Sequence, residues 1–333
     1  MIDGVFQDAA VRDLAWVIRS PVLLNADYYA DGTSYNAGKT AQHRYAEILD
    51  DKFCVQLYGE HYAWLLQQDQ SPQRLHNWLA QRKSHRLGYY FEHLVEYWLR
   101  HLVGEGYFAA HVPVRRGKQT LGEFDFLFAQ PGANELQHWE VAVKFYLAHR
   151  HEDDSILFYG PQARDRLDLK VTRMLEHQTT LAQTHEGQSA IGRASAPAIY
   201  SGVSSQVLLK GYLFYPSESD WRSAPLDGDG ISPAHLRGWW TRIDALQIPA
   251  ASPASRWYRV PRLSWLAPVV ISDGQAQGLV VRETLTNFCR TQFTQRAEPF
   301  LLAEVAKSAD GSWREISRGF VVSGVWPHTE VIE

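Results

Sequence analysis

Apolar residues recur at helical spacing through the first 83 positions and at strand spacing in the middle of the chain. Between Val11 and Gln81, Leu14, Val17, Ile18, Tyr45, Ile48, Leu49, Trp64, Leu65, Leu66, Trp78 and Leu79 return at helical intervals between polar loops. This predicts a helical N-terminal region over 1–83, with Asp31–Gln42 as its longest loop. A stronger stripe follows: Leu87, Phe91, Leu94, Val95, Trp98 and Leu102 predict an amphipathic helix with Ser84 as N-cap and Gly104 and Gly106 as its stop. Three strand-like runs come next, Tyr107 to Val114, Gly122 to Phe128 and Gln137 to Leu147, separated by turn residues at 115–118 and 131–134. A loop through Tyr159-Gly160-Pro161 leads into a second helix, Arg164 to about Gln183, and Gln206 to Tyr215 reads as a fourth strand. The order over 84–215 is helix, three strands, helix, strand. From 216 to 333 the pattern predicts an α+β extension: a loop-rich stretch Pro225 to Pro233, a strand Trp257 to Val260, a helix from Arg282 to Lys307 and a final apolar run Gly319 to Trp326.

With 333 residues, 45% of them hydrophobic and 13% aromatic, the chain can bury a large core. A formal charge of −4 argues against a polybasic coat protein but leaves room for a local basic groove. Cys54 and Cys289 lack metal-ligand spacing and read as two buried thiols in a reducing compartment. Asp3, Asp8, Arg12, Asp13 and Arg19 interrupt the first 24 residues, so the expectation is a cytoplasmic protein with no signal peptide or membrane contact.

The informative chemistry lies in Gly122-Glu123-Phe124-Asp125-Phe126 and Trp139-Glu140-Val141-Ala142-Val143-Lys144-Phe145. Strand periodicity projects Glu123 with Asp125, and Glu140 with Ala142 and Lys144. Magnesium takes oxygen ligands and keeps several waters, so two carboxylates on rigid strands, Asp125 and Glu140, suffice to hold it against a phosphate. Lys144 is then placed to orient a nucleophile or neutralise developing charge. A cross-strand salt bridge from Lys144 to Asp125 or Glu140 on a solvated face gives the same pattern.

Two helices add candidates. Glu92 sits beside the apolar stripe of the first and could lean over the strands as a further acidic ligand; its plainer reading is a surface ladder with Glu96 and Arg100. In the second, the stripe Leu167, Val171, Met174, Gln178, Leu181 places an amide where a core residue is expected. The other face carries Arg166, Lys170, Arg173 and His177, which suit either a phosphate backbone or solvent.

The runs Leu87-Gly88-Tyr89-Tyr90-Phe91-Glu92, Thr120 to Leu127, Trp139 to Leu147 and Arg166-Leu167-Asp168-Leu169-Lys170 resemble an uncharacterised bacterial family within the PD-(D/E)XK nuclease-like superfamily. That resemblance implies an α/β fold with a mixed central sheet and a restriction-endonuclease-like αβββαβ core over 84–215. It implies Asp125 as the motif aspartate, Lys144 as the motif lysine, Glu92 as the helix acid and Gln178 as counterpart of a helix glutamine in RecB-like members. One position departs from it. The usual acid two residues before the lysine is Ala142, and Glu140 lies two further back on the same face, displaced by roughly 6.5–7 Å in an ideal strand.

The expected function is therefore a nuclease dependent on Mg2+ or Mn2+ that hydrolyses DNA phosphodiesters, with RNA as a second partner class. Asp125, Glu140 and Glu92 are its metal ligands, Lys144 and Gln178 complete the catalytic set, and Arg166, Lys170 and Arg173 contact nucleic acid. The alternative is a catalytically silent nuclease-fold module that binds nucleic acid or protein. Other motifs are weaker. Gly32 to Thr40 has five residues rather than four between its glycines, Ser201 to Ser205 lacks the second glycine of a nucleophile elbow and reads as a loop, and His149 to Asp154 reads as a polar loop. The 12 tryptophans, Trp239-Trp240 among them, are expected mostly in the core.

Overall fold

The computed structural model describes residues 6–25, 46–194, 200–223 and 230–327. The Asp31–Gln42 loop, the Gly32–Thr40 motif and part of the Pro225–Pro233 stretch lie outside these residues. The elements run α1 (Ala9–Arg19), β1 (Ala46–Ile48), α2 (Asp51–Gln70), α3 (Gln73–Ala80), α4 (Leu87–Val103), β2 (Tyr107–Arg116), β3 (Gln119–Ala129), β4 (Glu135–Arg150) and β5 (Ile156–Tyr159). They continue with α5 (Leu167–Arg173), α6 (His185–Ala194), β6 (Gly202–Pro216), β7 (Leu236–Arg242), β8 (Arg256–Val260), β9 (Val270–Ile271), α7 (Arg282–Arg296), β10 (Phe300–Lys307) and β11 (Trp313–Val322). Between α5 and α6 the chain passes through a π-helical turn, Met174–Gln178, and a 3-10 turn, Thr179–Gln183.

One mixed sheet runs through all of it, in the order β2-β3-β4-β6-β7-β11-β10-β8, with β1 beside β6, β5 beside β4 and β9 beside β11. The β4–β6, β6–β7 and β7–β11 pairs are parallel, and the C-terminal strands extend the same sheet. Helices cover both faces. Odd residues of β4 (Trp139, Val141, Val143, Phe145, Leu147) join Trp16 of α1 and Phe91 and Trp98 of α4 in one core; Ala142, Tyr146 and Ala148 join Val171 of α5 and Leu285 and Cys289 of α7 in the other. This is the alternation that a strand buried on both sides must show.

Several sequence expectations change. The N-cap of α4 is Arg86, without a side-chain cap bond; Ser84 Oγ instead accepts from Arg86 N–H at 3.2 Å, outside the helix. Gly104, at φ 57, does end it. Residues 46–48, expected as helix, form a parallel edge on β6, because Ala46 and Ile48 bury one face each way across Glu47. The helix expected over Arg282 to Lys307 stops at Arg296, where Ala297 takes a left-handed conformation at φ 49, and Phe300–Lys307 is a strand between β11 and β8. A run apolar on every side, such as 300–306, suits a central strand as well as a buried helix, so periodicity alone misassigns it. The helix expected over Arg164–Gln183 starts later and breaks into α, π and 3-10 turns. Gly202–Ser205 lies within β6, and Trp239 and Trp240 of β7 are buried. Both cysteines are free and buried, as their spacing indicated.

The β4–β6 ladder is drawn tight at Gly211, paired with Lys144, where φ is 144 and a Cβ would lie 1.7 Å from the Lys144 carbonyl oxygen. Only glycine fits there. Gly192 in α6 has open space around it. Gly211→Ala is expected to lower unfolding free energy by about 3 kcal/mol or more, while Gly192→Ala leaves it unchanged or raises it by about 0.5–1 kcal/mol, as read by urea denaturation.

Candidate functional site

The site begins where two strands part. Strand β3 pairs with β4 only through Phe126–Trp139, Leu127–His138 and Phe128–Gln137, although β3 itself continues back to Gln119 against β2. The next rung would set Asp125 opposite Glu140. There the ladder has ended, and the N–H of Val141 is satisfied by the Asp125 carboxylate, which accepts it on Oδ2 at 3.0 Å. A side chain thus takes the place of a missing backbone partner.

The parting has a cause within the β2–β3 hairpin. Phe126 and Phe128 face the α4 side and Leu127 and Ala129 the other, yet Phe124 joins the second set, so alternation slips by one across Asp125. On β2 the same slip separates Ala110 from Val112, at His111, whose φ is 53. A paired kink of this kind bends the hairpin away from β4. It also separates the two acids expected to project together: Glu123 turns to His111 Nδ1, 3.2 Å away, and does not line the cleft.

The resulting cleft holds about 950 Å³. It is lined by the open edge of β4 from Glu140 to Phe145, by the start of α4 (Leu87, Gly88, Glu92), the 160–165 loop, Lys170 of α5 and Gln178, and by Arg259–Arg262, Trp265, Arg296 and residues 298–301. Asp125, Glu140, Glu92, Lys144 and Gln178 all line it, so the structure brings the expected catalytic set to one place.

Electrostatically this place is strained. Burial, and then the Glu140 charge, push the Asp125 carboxyl up to about 8. Burial raises Glu140 to about 7, and burial followed by Asp125 raises Glu92 to about 7. Neighbouring carboxylates in low dielectric resist ionising together. Glu140, 2% exposed, receives a 3.4 Å bond on Oε2 from Gln178 Nε2, and its Oε1 lies 3.2 Å from His138 Nε2. His138 is fully buried, bonded through Nδ1 to Ser205 Oγ at 2.9 Å, and pushed down to about 3 by burial, so it is neutral and supplies no countercharge.

The lysines divide their work differently from expectation. Lys144 donates to Asp165 of the 160–165 loop, pairing with neither Asp125 nor Glu140. Lys170 is the ammonium whose field reaches both carboxylates; its own pKa is lowered by burial and then by Lys144. Arg166 forks onto Asp168 at 2.9 and 2.6 Å, and Arg173 and His177 are exposed outside the cleft lining, so of the expected nucleic-acid contacts only Lys170 faces the cleft. Glu96 rather than Glu92 takes Arg100, at 2.7 Å, which leaves Glu92 to the cleft.

The π turn over Met174–Gln178 delivers Gln178 to Glu140, and Gly122 of β3 makes room for it: a Cβ there would stand 2.6 Å from Leu181 Cδ1 and 3.2 Å from Gln178 Oε1. Such π turns are a frequent feature of functional sites. Sequence reasoning missed Asp165, His138 and the arginines of the cleft lining. His138 was within reach, two residues before Glu140 on the same strand face; the arginines were not, since only the tertiary fold brings residues 259–296 to the cleft.

Among the described residues no three His, Cys, Asp or Glu side chains are grouped as a ready metal cage, and Glu92 lines the same cleft as Asp125 and Glu140. Two adjacent carboxylates do fit a hard divalent cation that keeps its waters and takes substrate oxygens. The fit is electrostatic too: burial raises both acids and the Glu140 charge raises Asp125 further, and a dication beside them would favour their ionised forms.

Fold and cleft together define a mixed α/β protein with an acidic pair at a sheet fork. The chain belongs to the family described as Domain of unknown function (DUF1853), whose model matches residues 12–322. No curated protein and no solved structure matches it. No helix among the described residues is long and apolar enough to cross a membrane.

A carboxyl with a raised folded-state pKa binds its proton more tightly in the folded chain, so its stabilising contribution is present below its ordinary range and lost as pH rises through about 8. In metal-free buffer Asp125→Asn, which keeps an acceptor for Val141 N–H, is expected to match the native chain near pH 4 and to exceed its stability by on the order of 2 kcal/mol at pH 8.5, allowing for partial solvent access. Urea melts at the two pH values check this; a native chain equally stable at pH 8.5 contradicts it.

Proposed function

We propose that this protein is a metal-dependent phosphodiesterase of the PD-(D/E)XK nuclease-like type acting on DNA, with Asp125 and Glu140 holding Mg2+ or Mn2+. The observation that carries the reading is the meeting of half-buried Asp125 and buried Glu140, both raised in pKa, at the fork of β3 and β4. Supporting it are the order α4, β2, β3, β4, then α5 and β6, and the convergence of Glu92, Lys144 and Gln178 on the same cleft. The cation supplies Lewis-acid polarisation of a phosphoryl oxygen and charge neutralisation for the departing one.

The chain's own groups do the rest. Gln178 and His138 fix the Glu140 carboxylate from two sides, and Val141 N–H fixes that of Asp125. Asp165 holds the Lys144 ammonium at the open strand edge, where it can orient an attacking water or neutralise the charge that develops on phosphate. Lys170 balances the two carboxylates while no dication is bound. Glu140 serves from two residues before the usual acid position because the strands have already parted there, and the Ala142 side chain leaves the floor of the cleft open.

Ala142 also favours a second reading, a silent module on the same fold that binds nucleic acid without cutting it. Purified protein with a supercoiled plasmid and with single-stranded DNA, in Mg2+, Mn2+ or EDTA, separates the two. Cleavage in metal alone is expected, with Asp125→Asn and Glu140→Gln each slower by about 10²-fold or more and Lys144→Met reduced similarly. Undiminished cleavage by both carboxylate variants, or none by the native chain with bound DNA recovered intact, rejects the catalytic reading.

A further inference from the structure

The part of the cleft lining contributed by the C-terminal strands is rich in arginine, and its guanidinium groups lack carboxylate partners among the described residues. Arg259 is the last residue but one of β8, Arg262 follows in the short turn Arg262–Ser264, and Arg296 closes α7. All three line the cleft, and among the described residues none forms an ion pair with a carboxylate. Arg259 bonds only an amide, Gln292 Oε1 at 2.5 Å, and lies over the Phe300 ring at 5.6 Å; Arg262 lies over Trp265 at 5.5 Å. The field of Arg296 adds to burial in lowering the Arg259 pKa, with Glu298 as the opposing charge. Guanidinium groups crowded in this way are relieved by an anion.

The wall is rigidly mounted. Arg318, fully buried, donates to the carbonyls of Trp265 and Ala267, and Asp13 of α1 accepts Ala267 N–H at 3.1 Å. The segment after Arg262 is therefore pinned to the core on the α1 side, and the aromatic rings under Arg259 and Arg262 preorganise their forks. Three such donors lining the same cleft as an acidic pair match a polyanion whose backbone can be held by the arginines while it meets the acids.

We propose that Arg259, Arg262 and Arg296 form the phosphate-binding wall of this cleft, seating the backbone of a nucleic-acid strand against the Asp125–Glu140 side. The inference rests on the reading of the cleft as a phosphodiester site and adds to it that recognition belongs to the C-terminal strands. The exposed face of α5, with Arg173, takes no part.

The test is fluorescence anisotropy in EDTA, where cleavage is off, with a labelled single strand and a duplex of equal length. The native chain is expected to bind both. The triple variant Arg259→Gln, Arg262→Gln, Arg296→Gln is expected to lose about 10-fold or more in affinity at 0.1 M salt, with a salt dependence shallower by about 2–3 in log–log slope. Arg173→Gln should bind as native. Arg296→Gln alone, at an exposed helix end, should weaken binding measurably and covers the case in which the triple variant misfolds. Unchanged binding by folded wall variants, no binding by the native chain, or equal competition by polyglutamate overturns the assignment. Binding that depends on the wall without any cleavage in metal would reject the nuclease reading and leave this one standing; cleavage unaffected by the wall would do the reverse.

Discussion

Strand β3 runs beside β4 for three residue pairs and then leaves it, and the carboxylate of Asp125 closes the break by taking the Val141 N–H. A buried amide without a partner costs about 1–3 kcal/mol, so the fork persists only because a side chain of the right length stands at that rung. The kink that opens it is shared by His111 and Asp125 on adjacent strands. Everything chemical in the cleft follows: β4 keeps a free edge from Glu140 to Phe145, and side chains from α4, α5 and the π turn reach in over it.

That geometry is expensive to maintain. Three carboxyl groups are crowded into a partly dry space, with one neutral imidazole and an amide as hydrogen-bond partners and Lys170 as the nearest countercharge. Such a cluster lowers stability as it ionises, and sequences drop it unless it has a use. The same arrangement becomes favourable once a divalent cation and a phosphate share the charge, which links the local strain to the chemistry proposed for it.

Much of this was legible in the residues. Alternation placed Glu140 and Lys144 on one face of β4, and both line the cleft; the polar break in the stripe at Gln178 marked the residue that reaches Glu140. Alternation failed for Glu123 and Asp125 because a positive φ on the neighbouring strand, at a histidine, is invisible to a two-residue period. It failed again at 300–306, where burial on both faces erases the pattern. The pairing of Lys144 with Asp165 depends on where a loop folds back, and the arginine wall depends on the C-terminal strands joining the same sheet as the central ones. Neither has a local signal.

The claim that the Asp125–Glu140 pair is a divalent-cation site is tested most directly by an anomalous difference map from crystals soaked in Mn2+. One peak between the two carboxylates, with Asp125 turned from Val141 N–H toward it or bridging both, is the expected result. A crystal that takes up Mn2+ elsewhere, or none at all while the two carboxyls keep their metal-free bonds, would contradict it.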